Sequence, residues 1–250
     1  MLELKSVSSG YGKNTVLREA SVRFEKGKVT ALIGPNGSGK STLLRTALGL
    51  IPAKSGEIII DGENLASIKR QDVAKKIAFL PQGKNVPDMT VEQMVLHGRF
   101  PHLSYPRRYS ENDIAIANFA IEQMGLKDYK KAPLNKLSGG MRQKAYIAMC
   151  LAQDTDYILL DEPTTYLDIA HNLELMKMIG KLKSSGKGIV AVMHDLPLAF
   201  DFSDYTVVLN DGKIIMQDKT ENVADSGIIK RIFGVDIYRN NEKGSFSYKY

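Results

Sequence analysis

One octet of the sequence constrains the fold more than any other feature. It reads Gly34-Pro35-Asn36-Gly37-Ser38-Gly39-Lys40-Ser41 and fits the pattern G-x-x-x-x-G-K-[ST]. The apolar and β-branched run 29–33 before it predicts a strand, and the run 41–48 after it predicts a helix that ends near Gly49. Backbone N–H groups of such a loop, together with the helix N-terminus, bind phosphate oxygens. The octet therefore predicts a strand, loop and helix unit of an α/β fold with a phosphate site at its turn.

Two side chains of the octet have a predicted role at that site. Lys40 is expected to reach the β- and γ-phosphates as a point charge, and the Ser41 hydroxyl is expected to coordinate Mg²⁺. A glycine-rich loop without a ligand is the alternative interpretation. The flanking strand and helix favour phosphate binding, because the mechanism requires both.

Two acidic residues follow a second apolar strand, predicted at 157–160. Asp161 lies where a carboxylate can hold the metal ion, directly or through water. Glu162 is then free to orient or deprotonate an attacking water molecule. An exposed Asp-Glu pair is usually only surface, but its position after four apolar residues and before Pro163 favours the functional interpretation.

Polar or aromatic side chains follow or flank other predicted strands. His194 follows the apolar run 189–193, so we expect its imidazole at the same sheet edge, as a hydrogen-bond donor near the γ-phosphate. Gln82 ends another strand, and its amide is placed to meet Mg²⁺ or the attacking water; taken alone, a solvated loop glutamine is the favoured alternative. Tyr11, between two glycines, offers an aromatic face to adenine, although one aromatic residue in a turn is weak evidence.

A second segment combines a hydroxyl, small residues and a following helix. It covers 137–143 and contains Ser138-Gly139-Gly140, so it can also bind phosphate oxygens. No lysine follows these glycines. The segment therefore predicts a half-site that complements a nucleotide site built elsewhere.

The rest of the chain predicts one domain over 1–250 with an inserted helical segment. Further strands are expected at 2–7, 16–24, 57–60 and 188–193, a helix at about 170–182, and a hairpin around Asn210-Asp211-Gly212. The α/β core with its β subdomain takes about 1–86 and 154–217, the helical subdomain 87–153, and a less readable tail 218–250. Within the helical subdomain, an amphipathic stripe is expected from Ile114, Ile116, Phe119, Ile121 and Met124.

Composition limits the possible environment and partners. No apolar run approaches the roughly 20 residues that cross a bilayer, and residues 1–5 lack the apolar region of a signal peptide. We therefore expect a cytosolic protein or one on the cytosolic face of a membrane. The only cysteine, Cys150, has apolar neighbours and indicates an inert core thiol. The net charge is +6, but the basic residues are spread out, so the sequence argues against nucleic-acid binding.

Taken together, the octet, the 137–143 segment and the acidic strand end resemble the ATPase subunit of an ABC transporter. The resemblance covers essentially the whole chain and implies an α/β fold: a P-loop NTPase (RecA-like) core with an antiparallel β subdomain and an inserted α-helical subdomain. It also implies that two copies bind two ATP molecules with Mg²⁺ in a head-to-tail dimer. One departure is visible at 165–168, which reads Thr-Tyr-Leu-Asp where many members have Ser-Ala-Leu-Asp.

The resemblance assigns roles residue by residue. It implies that ATP contacts Tyr11 and the loop through Thr42, that Mg²⁺ contacts Ser41, Gln82 and Asp161, and that Glu162, His194 and Gln82 serve hydrolysis. It implies that the second copy supplies a set of residues in trans. That set is Ser138, Gly139, Gly140 and Asp168.

Three further segments resemble the importers of ferric siderophores, haem and cobalamin. They are 98–103, 164–171 and 194–199. This branch implies a subunit on the cytoplasmic face of the membrane, bound to two transmembrane permease subunits and indirectly to an extracytoplasmic substrate-binding protein. A groove formed by 82–103 is then expected to receive a coupling helix of the permease, with Phe100, Pro101 and Leu103 exposed. His97, His102 and His171 are interpreted as structural or surface residues, because their spacing does not fit metal ligation.

Three alternatives remain at this stage. An ABC exporter subunit shares all the chemistry and differs only in the segments that suggest the importer branch. A soluble ABC-type protein acting on ribosomes or DNA usually has two cassettes or a long coiled-coil insertion, and this chain has neither pattern. A P-loop kinase would not need Ser138-Gly139-Gly140 and would transfer phosphate to an acceptor other than water.

Overall fold

The computed structural model describes residues 1–83, 86–165, 167–240 and 245–249. The strands are β1 (Leu2–Tyr11), β2 (Asn14–Phe24), β3 (Val29–Ile33), β4 (Ala53–Ile60), β5 (Glu63–Asn64), β6 (Ile77–Leu80), β7 (Tyr157–Leu160), β8 (Gly188–Val192), β9 (Tyr205–Asn210), β10 (Lys213–Lys219), β11 (Asp236–Arg239) and β12 (Phe246–Lys249). The helices are α1 (Lys40–Ala47), α2 (Arg70–Lys76), α3 (Val91–His97), α4 (Glu111–Gln123), α5 (Gly139–Ala152), α6 (Ile169–Ser184), α7 (Leu196–Phe202), α8 (Thr220–Asp225) and α9 (Ile228–Phe233). Short 3₁₀ turns lie at Leu65–Ser67, Phe100–His102, Lys127–Tyr129 and Leu134–Lys136.

The central sheet has six strands in the order β10-β9-β3-β8-β7-β6. All neighbours are parallel except the β9–β10 hairpin, which turns at the predicted Asp211-Gly212. Every residue of β3, β7 and β8 is buried, as expected for strands covered on both faces. The parallel order confirms the α/β core and brings the carboxyl ends of β3, β8, β7 and β6 to one edge.

A second sheet is antiparallel, in the order β2-β1-β4-β5. Its strands β1 and β4 are longer than the sequence predicts, because Ser8 pairs with Ser55 and Ser9 with Ala53 across irregular register. Pairing with a neighbour overrides the weak strand preference of serine and glycine there. Apolar residues of this sheet pack with those of α1 and the central sheet, including Leu4, Leu43 and Leu32, in one buried cluster.

Helices α3, α4 and α5 pack against each other next to the central sheet. The stripe expected on α4 is wrong at two positions, since Ile114 is 40% and Phe119 64% exposed. The buried face of α4 is centred on Ala117 and Ala120, whose small side chains let the neighbouring helices approach closely. The predicted stripe therefore combined residues from two faces of the helix.

Residues 98–103 fold as a tight segment against the end of α5. Phe100 is 43% exposed, with the Arg107 guanidinium 4.6 Å from the centre of its ring. Leu103, which was expected to be exposed with it, is buried, because the 3₁₀ turn at Phe100–His102 directs it inward. Arg99 is also buried, paired with Asp113 at 2.9 Å.

The tail forms defined elements rather than an irregular end. Strands β11 and β12 make a hairpin that rests on α7, where the rings of Phe246 and Phe200 lie 5.4 Å apart. The Phe246 N–H donates to Asp201 Oδ1 at 2.7 Å. In the described part of the chain, no helix combines the length and apolar content that crossing a bilayer requires.

Candidate active site

The loop after β3 is built for close backbone approach. A Cβ atom at Gly34 would lie 2.1 Å from the carbonyl oxygen of Leu209, so only glycine fits beside β9. Gly39 begins α1 with φ +106°, a backbone conformation that glycine adopts at little cost. These two glycines set the path of the loop and leave its N–H groups next to the N-terminus of α1.

Lys40 lies across the mouth of this loop. Its Nζ donates to the carbonyl oxygens of Gly34 at 2.7 Å and Pro35 at 3.0 Å, which uses two of its three N–H groups. Burial lowers the pKa of Lys40, and the nearby charges of Glu162 and Asp161 act in the opposite direction. The hydroxyl of Ser38 is buried and has no hydrogen-bond partner among the described residues. A cation, a free hydroxyl and a helix N-terminus together fit an anion.

Asp161 faces the first turn of α1. Its Oδ1 accepts from the Ser41 hydroxyl at 3.0 Å, and its own N–H donates to the Leu80 carbonyl at 2.8 Å. Its Oδ2 is buried with no partner within the described ranges. Burial raises the pKa of Asp161 despite the hydrogen bond from Ser41. A buried carboxylate oxygen that accepts no hydrogen bond from the described residues and a neighbouring hydroxyl oxygen are ligands of the kind that a hard divalent cation binds.

Glu162 is the centre of a hydrogen-bonded group. His194 Nε2 lies 2.7 Å from its Oε1, and its Oε2 accepts from Gln82 Nε2 at 2.6 Å and from the Thr165 hydroxyl at 3.0 Å. Its backbone has φ +53°, in the left-handed region that residues other than glycine seldom occupy. The three contacts hold the side chain at this strained turn.

The contacts of Glu162 also set its charge. Burial by itself raises the pKa of Glu162, but the hydrogen bonds from His194 and Thr165 and the charge of Lys40 outweigh it. The net effect places the pKa below the ordinary value of a glutamate. Glu162 is therefore ionised at neutral pH and can accept a proton.

The structure brings most of the predicted residues to one sheet edge. The phosphate loop, Asp161 and Ser41 form one group, and Glu162, His194 and Gln82 form an adjoining one. The side-chain amide of Gln82 contacts Glu162 here, so its role as a metal ligand stays a prediction.

Other predicted residues lie apart from this edge. Tyr11 is 51% exposed at the end of β1, where Arg45 Nη1 donates to its hydroxyl at 3.3 Å. Ser138 caps α5, and its hydroxyl accepts from the Met141 N–H at 3.3 Å. Asp168 caps α6, with its side chain 66% exposed.

A cavity of about 290 Å³ lies between the sheet edge at Glu162 and the start of α5. Gln82, Glu162 and Thr165 line one side, and Gly139 and Arg142 line the other. Ser138 and Gly139 are themselves exposed. Among the described residues that line this cavity, none belongs to the loop 34–41.

Sequence reasoning missed two residues at the site. Thr165 donates to Glu162, and its spacing of three residues within a turn is a signal that could have identified it. Arg45, one turn after Ser41, contacts Tyr11 and contributes a positive charge near Asp161. Tyr166, which the resemblance to siderophore importers includes, lies outside the described residues.

The chain is similar to several known proteins. A family model described as "ABC transporter" matches residues 9–165. The iron(3+)-hydroxamate import ATP-binding protein FhuC of Bacillus subtilis is 40% identical over 94% of this chain and 88% of its own length. The petrobactin import ATP-binding protein YclP of the same organism is 42% identical over 95% of this chain and 94% of its own length.

A solved structure shows the same fold. It is the dimeric structure of an ATP-binding cassette in a post-hydrolysis state, bound to ADP and phosphate. That chain is 28% identical to this one, with a TM-score of 0.76, over 88% of this chain and 99% of its own length.

Proposed function

Since this chain belongs to the ABC transporter family, we propose that it is the ATP-hydrolysing subunit of an importer and energises the uptake of an iron complex. One observation carries the proposal: His194, Gln82 and Thr165 hold the Glu162 carboxylate in place beside the phosphate loop, and His194, Thr165 and Lys40 keep it ionised. The names of the two Bacillus subtilis relatives, import proteins for iron(3+)-hydroxamate and petrobactin, support the direction of transport and the class of cargo.

Binding of ATP uses the loop from Gly34 through Thr42. The backbone N–H groups and the Ser38 hydroxyl bind phosphate oxygens, and the ammonium of Lys40 contributes its charge. Tyr11 stacks on the adenine, and its exposed ring is available for this contact.

The donor set of Asp161 Oδ2, the Ser41 hydroxyl and the amide oxygen of Gln82 would hold Mg²⁺. When bound, Mg²⁺ would supply positive charge that neutralises the charge developing on the phosphate oxygens. The raised pKa of Asp161 supports this assignment, because burial opposes its charge and its Oδ2 has no hydrogen-bond partner among the described residues, so a cation there would stabilise the carboxylate.

Hydrolysis depends on the orientation of Glu162. A carboxylate has about four acceptor sites, and three contacts of Glu162 come from His194, Gln82 and Thr165. The remaining site, on Oε1, accepts a proton from the attacking water, while His194 and Gln82 prevent the carboxylate from rotating. When its imidazole is protonated, His194 has a second N–H, on Nδ1, that can donate to the γ-phosphate.

The second phosphate-binding segment completes the site of a second copy. Ser138, Gly139 and Gly140 lie at the N-terminus of a 14-residue helix, no lysine follows these glycines as Lys40 follows Gly39, and the described lining of the cavity beside Gly139 includes no residue of the phosphate loop. Two copies arranged head to tail would place these residues, with Asp168, against the partner's ATP. The dimeric cassette with bound ADP and phosphate supports such an arrangement.

Coupling to transport requires contact with a membrane permease. We place this contact at residues 82–103, where Phe100 is exposed beside Arg107. Two permease subunits then hold the dimer at the cytoplasmic face of the membrane as a peripheral pair. A substrate-binding protein on the other side would select the cargo: ferric siderophore, haem or cobalamin.

Uptake measurements test this function. Labelled ferric siderophore, haem and cobalamin are supplied in parallel to cells whose only copy is the wild type, Glu162→Gln or the exposed control Glu63→Gln. We expect Glu162→Gln alone to lose uptake of one cargo, which names the substrate. Equal uptake of all three by every strain, with the proteins expressed and no redundant ATPase present, contradicts the proposal.

A further inference from the structure

His171 connects the two segments that this chain offers to a second copy. It is half-buried in the first turn of α6, opposite the first turn of α5. A Cβ atom at Gly140 would lie 2.7 Å from His171 Cδ2 and 3.1 Å from Nε2. The imidazole therefore occupies the space that a side chain at Gly140 would need, and the helix start and the ring are in direct contact.

The imidazole is fixed on its other side by Asp168. His171 Nδ1 lies 2.8 Å from Asp168 Oδ1, and the His171 backbone N–H donates to the same oxygen at 2.9 Å. These hydrogen bonds lower the pKa of Asp168, so its side chain is an ionised carboxylate that can only accept. The proton of the imidazole must then be on Nδ1. The ring cannot turn away from Gly140 without losing that hydrogen bond.

Other contacts also join α5 to α6 and to the turn before it, including apolar packing of Ile147 and Leu175 in one buried cluster. The Lys144 ammonium and the Glu174 carboxylate pair at 2.7 Å one turn further along, but Glu174 is exposed, and such surface pairs contribute little to a fixed spacing. Gln143 Nε2 donates to the Pro163 carbonyl, which precedes α6. His171 contacts both Gly140 and Asp168 directly.

We propose that His171 is a positioning residue for the half-site in trans: it sets the spacing between Gly140 and Asp168, so that both meet a second copy together. The inference rests on the proposed head-to-tail dimer. It adds a residue that contacts neither ATP nor the partner and acts through the two that do. Gly140 is required because the ring occupies the position of its Cβ, and the ring is held because Asp168 accepts from it.

Three substitutions separate the two contacts of His171. His171→Asn keeps a donor for Asp168 and removes the ring from Gly140. His171→Phe keeps a ring against Gly140 and removes the donor. His171→Ala removes both, and His97→Ala, on the exposed end of α3, is the matched control.

Dimer closure is measured in the Glu162→Gln background, where hydrolysis does not reopen the dimer. Analytical ultracentrifugation over a range of ATP concentrations gives the concentration for half-maximal dimer formation. For His171→Ala we expect this ATP concentration to rise about tenfold, the effect of losing roughly one charge-assisted hydrogen bond. His171→Asn and His171→Phe should show smaller increases, and His97→Ala should show none.

Binding of a fluorescent ATP analogue to the monomer separates positioning from general damage. It should be unchanged in all the His171 variants, because the phosphate loop belongs to a different part of the chain. Equal dimer formation by Glu162→Gln with and without His171→Ala would overturn the role of His171. A parallel loss of analogue binding and of thermal stability in all three variants would overturn it too, since the residue would then be only structural.

The same experiment distinguishes failure of the proposed function. If Glu162→Gln alone binds the analogue but forms no dimer at any ATP concentration, the trans half-site is wrong, and the role of His171 is wrong with it. If Glu162→Gln dimerises normally and only the His171 prediction fails, the proposed ATPase function is unaffected.

Discussion

At the scale of single residues, Glu162 is the most direct test of the site. Its substitution by glutamine removes the proton acceptor while the neighbours His194 and Gln82 can still hydrogen-bond to the amide. We expect the rate of ATP hydrolysis to fall about 10²- to 10⁴-fold, with ATP binding retained. Phosphate release and analogue binding measure the two effects, and Glu63→Gln is the control. Turnover at the wild-type rate would remove Glu162 from the mechanism.

Asp161 should show a trade-off between stability and activity. Burial raises the folded-state pKa of Asp161 above its unfolded value, so the folded protein binds this proton more tightly, and the charged form is destabilising at neutral pH. Stability from this group is greatest below the unfolded pKa and is lost as the pH rises through the folded pKa. Replacing Asp161 with asparagine should therefore raise the melting temperature at pH 7 without Mg²⁺, and abolish Mg²⁺-dependent hydrolysis.

A thermal scan with and without Mg²⁺ checks this expectation. The wild type should gain stability from Mg²⁺ in the presence of ATP, whereas Asp161→Asn should gain less. A lower melting temperature of the variant without Mg²⁺ would mean that the carboxylate has a partner that stabilises it.

Residue types and strand ends were sufficient to predict most of this site. Asp161 and Glu162 follow β7, His194 follows β8 and Lys40 begins the helix after β3, and parallel strands bring such positions together. Thr165 was missed because its contact with Glu162 depends on the positive φ of Glu162, and the presence of a glutamate in a sequence does not predict a positive φ. The hydrogen bond between Gln82 and Glu162 depends on side-chain conformations that no sequence pattern encodes.

At the scale of elements, the apolar stripe predicted on α4 is confirmed in part. Ile121 and Met124 are buried as expected, whereas Ile114 and Phe119 are exposed and the buried face includes Ala117 and Ala120. Burial of a helix face depends on how closely its neighbours approach, and alanine permits an approach that phenylalanine prevents. Strands β1 and β4 likewise depend on their neighbours: they extend through serine and glycine because each pairs with the other there.

The start of α4 contains an ion pair with a definite pH dependence. Asp113 belongs to the capping box with Ser110 and accepts from Arg99. Burial opposes ionisation, but the hydrogen bonds from Ser110 and the pairing with Arg99 lower the pKa of Asp113 from 3.8 to about 2. Because the folded pKa is the lower one, the stabilisation is present above about pH 4 and is lost as the pH falls through about 2.

Replacing Asp113 with asparagine keeps a capping side chain and removes the charge. We expect the free energy of unfolding at pH 7 to fall by roughly 2 kcal/mol, the value of this pKa difference. Urea unfolding at several pH values measures it, and the gap between variant and wild type should narrow below about pH 4. A gap that is constant with pH would assign the loss to packing of Arg99 rather than to the ion pair.

At the scale of the whole molecule, the candidate site and the exposed Phe100 lie in different parts of the fold. The candidate site lies at an edge of the central sheet, whereas Phe100 belongs to the segment after α3. Hydrogen bonds join that segment to the end of α5: Arg99 donates to the Ala152 carbonyl, and the His102 ring pairs with the Gln153 carbonyl. Helix α5 begins at Gly139, in the half-site. One rigid helix of about 21 Å, at 1.5 Å per residue, thus joins the proposed permease contact to the proposed dimer contact.

This arrangement predicts that transport and hydrolysis can be separated. A charge at Phe100 should disrupt an apolar contact with the permease and leave the site residues in place, so Phe100→Glu should lose cargo uptake while the isolated subunit hydrolyses ATP at close to the wild-type rate. Phe119→Glu is the matched control, since Phe119 is more exposed than Phe100 and lies on α4. Loss of basal hydrolysis in Phe100→Glu would show that the ring is part of the core, and equal loss of uptake in Phe119→Glu would show that the permease contact extends over α4.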